Sequence, residues 1–262
     1  MPNAWLNYGG KGLNFGTGIK VSVHVLPPIA QKTLRFDFKY DHFDPTTGLT
    51  DRSDIGATWT HVADDVYDFH FDNSVWYCKP LMSPTGNAGG LFNIYSYRES
   101  SSIIFPMSTH SFDIIDSNLS GVTDAHSLMT SARMCANCVL KNTGDIVDAS
   151  YMLSGGNRPI SLATLNALDL HSATNISHLL YSATSLISPL DITLSGAVSY
   201  CDSAFYNCKK VSSGALALYN SLSSQSALPT NYSGTFTNCG ANTTTGAAEL
   251  AQIPSSWGGT GA

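Results

Sequence analysis

The chain has 262 residues, of which 13 are basic and 19 are acidic, giving a formal net charge of −6. Charged residues make up 12% of the chain, about half the usual share of a soluble domain, and hydrophobic residues make up 43%. This composition excludes a disordered acidic tail, and the acidic balance argues against a nucleic-acid-binding groove. No stretch approaches the roughly 18 apolar residues of a membrane span, and the first 20 residues lack the apolar segment of a signal peptide. We therefore predict no membrane insertion and no nucleic acid partner.

Hydrophobic and polar residues alternate in the first part of the chain, a pattern typical of strands with one buried face. The alternation occurs in three runs, over residues 19–25, 34–40 and 67–72. We predict that residues 1–105 form an antiparallel β domain that serves attachment or oligomerisation. In the second and third runs the residues predicted to share the buried face are Leu34, Phe36, Phe38, Tyr40, Tyr67, Phe69 and Phe71.

From about residue 110 the chain repeats itself. Four similar segments begin at residues 122, 146, 173 and 198, which are 24, 27 and 25 residues apart, within the range of leucine-rich repeats. Positions 1, 4, 7 and 8 of each segment are small or hydrophobic, which predicts one face of a short helix. Asp124, Asp148 and Asn175 stand just before these helices, where a short side chain can accept bonds from free backbone N–H groups.

Short hydrophobic runs separate the predicted helices, and each can supply one strand per repeat; they lie at 112–115, 168–170 and 190–194. One strand and one helix cannot enclose a core alone, so such repeats must stack. We therefore predict an α+β fold in which the N-terminal antiparallel β domain is followed by a leucine-rich-repeat solenoid over residues 106–212. Two further predicted helices, at 213–222 and 246–252, place a degenerate repeat and a C-terminal helical cap over residues 213–262.

The six cysteines are best interpreted as small core residues, because their density is far below that of a disulfide-stapled protein. Two of them form a Cys135-Ala136-Asn137-Cys138 motif, which leaves zinc binding and disulfide formation open as alternatives. The cysteines are Cys78, Cys135, Cys138, Cys201, Cys208 and Cys239.

The chain lacks the sequence signatures of common enzymes, including GxSxG, HExxH and the phosphate-binding GxxxxGK[ST] loop. The densest group of titratable residues is His61, Asp64, Asp65 and His70, which strand alternation favours as solvent-facing side chains. We predict no catalytic residues, no metal site and no cofactor.

Exposed tyrosine and arginine side chains are typical anchors of recognition surfaces. Five residues are candidates for such a role, with packing in the core as the alternative for each. They are Tyr95, Tyr97, Arg98, Tyr181 and Tyr206.

The repeats resemble those of the BspA-like leucine-rich repeat family of bacterial surface proteins. The motif residues are Val122-Thr123-Asp124, Thr174-Asn175-Ile176 and Ala204-Phe205-Tyr206-Asn207-Cys208, and the similarity extends over residues 110–259. The resemblance implies extracellular adhesion or recognition without catalysis, in proteins that bacteria of the gut and their phages encode.

Together with the lack of a signal peptide, the resemblance suggests a non-enzymatic virion structural protein, such as a fibre, a tail tip or a capsid decoration. Its expected partners are a host surface glycan or protein, other virion proteins and further copies of itself. A bacterial cell-surface adhesin is the first alternative. A glycan hydrolase is another, although it requires two carboxylates roughly 5–9.5 Å apart. A scaffold that binds only its own copies is the last.

Overall fold

The computed structural model describes residues 5–8, 11–14, 26–40, 42, 44–45, 57–71, 112–126, 128–129, 135–155, 162–194 and 197–262. These residues include ten strands, two α-helices and one 3-10 turn. The helices are α1 (Ala215–Ser223) and α2 (Thr244–Leu250), and the 3-10 turn is Ser255–Trp257. The strands are β1 (Trp5–Tyr8), β2 (Lys11–Asn14), β3 (Thr33–Asp37), β4 (Ala57–Ala63), β5 (Val66–Phe71), β6 (Phe112–Asn118), β7 (Cys135–Cys138), β8 (Thr164–Leu165), β9 (Leu168–Leu170) and β10 (Ile192–Leu194).

A mixed six-stranded sheet contains strands from the N-terminal part of the chain and from the repeat region, in the strand order β4-β5-β3-β6-β7-β8. The first four strands pair antiparallel, and β6, β7 and β8 pair parallel. The strands predicted within 34–40 and 67–72 are confirmed, whereas the run 19–25 and residue 105 lie outside the described residues. Strands from both sides of residue 105 thus contribute to one sheet. Two smaller pairs, β1 with β2 and β9 with β10, complete the sheets.

The buried face of this sheet is built from aromatic side chains, as alternation predicts. Phe36 and Phe38 are fully buried, and the Phe36 ring lies 5.3 Å from Phe112 and 5.2 Å from Trp59. Leu34, Tyr67 and Phe69 are also buried. Tyr40 follows the end of β3 and is 51% exposed, so the predicted alternation extends two residues beyond Phe38, the last buried side chain of the run.

The repeated segments pack their predicted hydrophobic positions into one continuous core with the sheet. All sixteen of these side chains are at most 2% exposed. They are Val122, Ala125, Leu128, Met129, Ile146, Ala149, Met152, Leu153, Ala173, Ile176, Leu179, Leu180, Val198, Cys201, Ala204 and Phe205.

The backbone conformation of these segments differs from the prediction, because they form consecutive turns in place of helices. Alternate N–H groups donate to the next segment, as Tyr151 does to the carbonyl of Ser177 at 2.9 Å. The N–H groups between them bond locally, as Met152 does to the carbonyl of Ala149 at 3.2 Å. Successive segments are thereby joined through parallel bridges, which link Asp124, Asp148, Asn175, Tyr200 and Asn231 in that order.

The predicted fold class is therefore wrong. Strands outnumber helices among the described elements, and a mixed six-stranded sheet stands where a leucine-rich-repeat solenoid with one helix per repeat was expected. The physical reason lies in backbone angles: Tyr151, His178 and Ser203 occupy the left-handed region, with φ of 55°, 56° and 53°. A right-handed helix requires negative φ at every residue, so each of these positions interrupts it.

The short polar side chains accept backbone N–H groups as predicted, but they do so in turns and not as helix caps. The Oδ1 atoms of Asp124, Asp148 and Asn175 each accept the backbone N–H two residues later, at 3.0, 2.9 and 3.1 Å. These contacts are Asx turns, in which the side chain replaces a backbone carbonyl. They fix the start of each turn segment.

The two C-terminal helices are confirmed as elements. The carboxylate of Glu249 on α2 accepts the N–H groups of Gly214 and Leu216 at the start of α1, at 3.2 and 3.3 Å. A carboxylate at this end complements the helix dipole. Trp257 then covers the last turn segment, since its ring stacks on Tyr232 at 4.4 Å and is almost fully buried. No helix among the described residues is long and apolar enough to cross a membrane.

Three cysteine thiols are free and buried, as the interpretation of core residues predicts: Cys201, Cys208 and Cys239. Cys138 is buried as well. Cys78 and the side chain of Cys135 lie outside the described part. Within that part no group of three or more His, Cys, Asp or Glu side chains could hold a metal ion. Burial raises the pKa of Cys201 and of Cys208 to about 12 and that of Cys239 well above its ordinary value.

These three thiols are expected to resist a thiol reagent in the native protein. At pH 8 the raised pKa leaves few thiolates, and burial blocks access to them. Titration with an aromatic disulfide reagent, before and after adding guanidinium, checks this: we expect Cys201, Cys208 and Cys239 to react only after unfolding. Peptide mapping by mass spectrometry assigns each modified cysteine. If any of these three cysteines reacted in the native protein as fast as an exposed thiol does, the result would contradict their burial in the core.

Candidate functional site

Four aromatic side chains form a row across three consecutive turn segments, and we call Tyr151, His178, Tyr181 and Tyr206 the aromatic strip. The rings of Tyr151 and His178 are stacked, with centroids 4.4 Å apart and planes inclined by 8°. His178 and Tyr181 lie 5.2 Å apart at 41°, and Tyr181 and Tyr206 stack at 5.0 Å and 9°. The strip is therefore continuous from the second segment to the fourth.

The turn segments place these rings because their backbones are bonded in register. The N–H of Tyr151 donates to Ser177 beside His178, and the N–H of Ser182 donates to the carbonyl of Tyr206 at 2.8 Å. Equivalent side chains on neighbouring segments consequently stand above one another. Tyr151 is 40% exposed and the other three side chains are half-buried, so solvent reaches the row along its length.

The structure brings together two of the predicted recognition residues, Tyr181 and Tyr206. The other three, Tyr95, Tyr97 and Arg98, lie outside the described residues. Tyr151 and His178 were not predicted as recognition residues, although their spacing in the sequence follows the repeat. They are 27 residues apart and Tyr181 and Tyr206 are 25 apart, the same intervals that separate the starts of their segments at 146, 173 and 198.

A polar pair continues from the end of the strip. The Nδ2 of Asn238 donates to the Oδ1 of Asn207, the residue after Tyr206, at 2.9 Å. Both asparagines adopt left-handed backbone angles, with φ of 60° and 58°, which this residue type tolerates better than most. The amides thus form a short polar row beside the last aromatic ring.

The charge at the strip comes from Asp202. Its Oδ2 lies 3.6 Å from the Nδ1 of His178, just beyond hydrogen-bond distance. Burial lowers the pKa of His178, and the nearby Asp202 opposes this effect in part. Burial likewise raises the pKa of Tyr151, with Asp202 as a further cause. The imidazole is therefore mostly neutral at pH 7.

The predicted group of titratable residues, His61, Asp64, Asp65 and His70, lies on β4, on β5 and in the turn between them, and its members do not converge on one site. His61 Nε2 lies 2.9 Å from the carbonyl of Asp64, and His70 Nδ1 lies 3.1 Å from the hydroxyl of Thr33. Asp65 instead pairs with His42 at 2.7 Å. Each of these side chains has its own local partner, which fits a structural role.

Comparisons with protein-family models, with curated proteins and with solved structures find no match for this chain. They lend no support to the resemblance to BspA-like repeats. The aromatic strip is accordingly the feature on which a functional hypothesis has to rest.

Proposed function

We propose that the protein is a non-enzymatic recognition protein that binds an uncharged glycan on the aromatic strip and the adjacent Asn207 and Asn238 amides. The observation that carries the proposal is the continuous stack of four solvent-accessible aromatic side chains over three segments. Aromatic side chains combine a large apolar body with, in tyrosine, a polar hydroxyl. They therefore suit a ligand such as a sugar, which has both C–H and hydroxyl surfaces.

The polar groups around the strip favour a neutral ligand. An asparagine amide offers both donors and an acceptor, and sugar hydroxyls can use either. The charge of Asp202 is partly covered, with 26% of its side chain exposed, and His178 is mostly neutral at pH 7. Neither His178 nor Asp202 therefore presents a fully exposed charge to an anionic or cationic ligand.

The carboxylates of the first two turn segments have structural roles. Asp148 and Asp124 accept backbone N–H groups within their own turns. Their oxygens hold the turns in shape, a role that fits a binding function better than hydrolysis.

The proposed location is the virion surface, with the bacterial cell surface as the alternative, and it rests on the sequence resemblance. Mass spectrometry of purified particles and of cell-envelope fractions distinguishes the two locations. Finding the chain in the envelope and not in particles would favour the adhesin. Light scattering of the isolated protein would test the predicted homo-oligomer.

Binding on the strip predicts that Tyr206→Ala weakens the affinity for the best glycan by about 10- to 100-fold, the usual cost of removing an aromatic anchor. A glycan array with the wild-type chain identifies that glycan, and isothermal titration calorimetry then gives Kd for each variant. Tyr181→Ala should have a similar effect, because its ring stacks directly on Tyr206.

The matched control is Tyr200→Ala, which removes a 46% exposed tyrosine from the same turn segment as Tyr206. We expect its Kd to stay within about twofold of wild type. Thermal melts confirm that each variant is folded before binding is measured. An array without any binding, or equal loss of affinity in the Tyr200 variant, would overturn the assignment of the strip as the site.

A further inference from the structure

We infer that His178 makes the aromatic strip responsive to pH: a protonated imidazole would draw toward Asp202 and change its stacking against Tyr151. The change in ring geometry requires no ligand. Its consequence for ligand affinity rests on the proposed glycan-binding function.

His178 occupies the middle of the strip and is enclosed by its neighbours. Tyr151 stacks on its ring from the preceding segment, and Tyr181 lies 5.2 Å away on its own segment. Asp202 faces it from the following segment, with Oδ2 at 3.6 Å from Nδ1. That Nδ1 is buried and has no hydrogen-bond partner among the described residues.

A neutral imidazole can tolerate this position because Nδ1 can serve as an unprotonated acceptor. A protonated ring carries N–H groups on both nitrogens, and a buried N–H without an acceptor is costly. The carboxylate that faces it is Asp202, and its two ring neighbours are the phenols of Tyr151 and Tyr181. Protonation therefore adds both a hydrogen bond and an ion pair if the two groups approach.

The approach required is small. A charged N–H···O bond has a length of about 2.8 Å, so Nδ1 and Oδ2 have to close by less than roughly 1 Å. A shift of this size changes how the imidazole overlaps Tyr151, whose ring is parallel to it within 8°. The low pKa that burial gives His178 places the change on the acid side of pH 6.5.

The test is an NMR titration of the ligand-free protein between pH 8 and 4.5, following the imidazole signals of His178 and the ring signals of the tyrosines. We expect His178 to titrate below pH 6.5, with Tyr151 and Tyr181 shifting at the same midpoint. In Asp202→Asn the midpoint of His178 should fall further, because the stabilising anion is gone. Tyrosine signals that stay constant through the titration of His178, or a midpoint unchanged in the Asp202 variant, would overturn the inference.

Two variants separate this switch from general acid effects. His178→Asn removes the titrating group, and asparagine tolerates the φ of 56° at this position, so the tyrosine shifts should vanish in a folded protein. His171→Asn is the matched control, because His171 is half-exposed and pairs with Asp169 at 2.9 Å within its own turn. It should leave the tyrosine shifts as in wild type; loss of the shifts in this variant would contradict the assignment to His178.

Glycan affinity provides the second readout. With a glycan identified at pH 7.5, we expect Kd at pH 5 to change by about threefold or more in wild type and to stay constant in His178→Asn. A glycan that binds wild type with the same Kd at both values overturns the regulatory inference and leaves the proposed function standing. If the strip binds no glycan, the proposed function fails, and the ligand-free titration alone decides the inference.

Discussion

Replacing Arg35 by methionine is expected to lower the free energy of unfolding by about 3–5 kcal/mol, the usual cost of breaking a buried ion pair. Arg35 on β3 is 2% exposed, and its Nε and Nη2 donate to the two carboxylate oxygens of Asp68 at 2.6 and 2.7 Å. Its Nη1 also donates to the carbonyl of Pro27 at 2.9 Å. The substitution leaves a mostly buried carboxylate without its counter-charge. Urea denaturation followed by circular dichroism measures the loss.

Two further variants test this explanation. Adding Asp68→Leu to Arg35→Met should recover much of the stability, because the unpaired charge is removed with its partner. Lys141→Met breaks an ion pair with Asp116 of similar length, 2.8 Å, but the lysine side chain is 54% exposed. We expect that variant to cost less than about 1 kcal/mol. An Arg35 variant as stable as the Lys141 variant would show that the buried pair contributes little.

Replacing Phe205 by alanine is expected to destabilise the repeated segments by about 3–5 kcal/mol. The ring is fully buried, and it packs on Phe236 of the next segment at a centroid distance of 5.4 Å. Its loss leaves a cavity between two segments. The N–H of Phe205 donates to the carbonyl of Thr235 at 2.9 Å, so the backbones of the two segments are bonded to each other and cannot easily move together to fill the cavity. Chemical denaturation monitored by tryptophan fluorescence measures the effect, because Trp257 lies over Phe236 at 6.5 Å.

The control for this prediction is Tyr200→Ala, which removes a half-exposed ring from the same segment. We expect a change within about 0.5 kcal/mol, as for most surface substitutions. Destabilisation by less than about 1 kcal/mol in the Phe205 variant would be inconsistent with a tightly packed core between the segments.

Alternation in the sequence predicts which side chains of a strand share a face, and Phe36, Phe38 and Phe69 confirm it. It does not show whether the opposite face is covered. Arg35 belongs to the polar set of β3, yet it is buried. The cause is the pairing of β3 with β5, which places Asp68 directly across from Arg35 in the sheet. That neighbour is 33 residues away in the chain, so local patterning carries no information about it.

In the repeats, too, the sequence predicts which side chains are buried but not the backbone conformation. Positions 1, 4, 7 and 8 of each segment are buried as the spacing predicts, but a short helix and a series of turns can bury the same positions. The left-handed backbone at Tyr151, His178 and Ser203 separates the two conformations. Hydrogen bonds to the next segment stabilise it, and those bonds exist only in the assembled fold.

The sequence by itself therefore determined which side chains leave water and which short polar residues close the turns, because burial and local hydrogen bonding depend on near neighbours. Tertiary structure alone decided the sheet order, the turn conformation and the assembly of the aromatic strip. The turn conformation and the strip depend on backbone bonds between residues more than 20 positions apart, such as that from Ser182 to Tyr206. The sheet order depends on pairings such as that of Arg35 with Asp68, which are 33 positions apart. Tyrosines that look isolated along the chain become one surface only when those bonds set the segments in register.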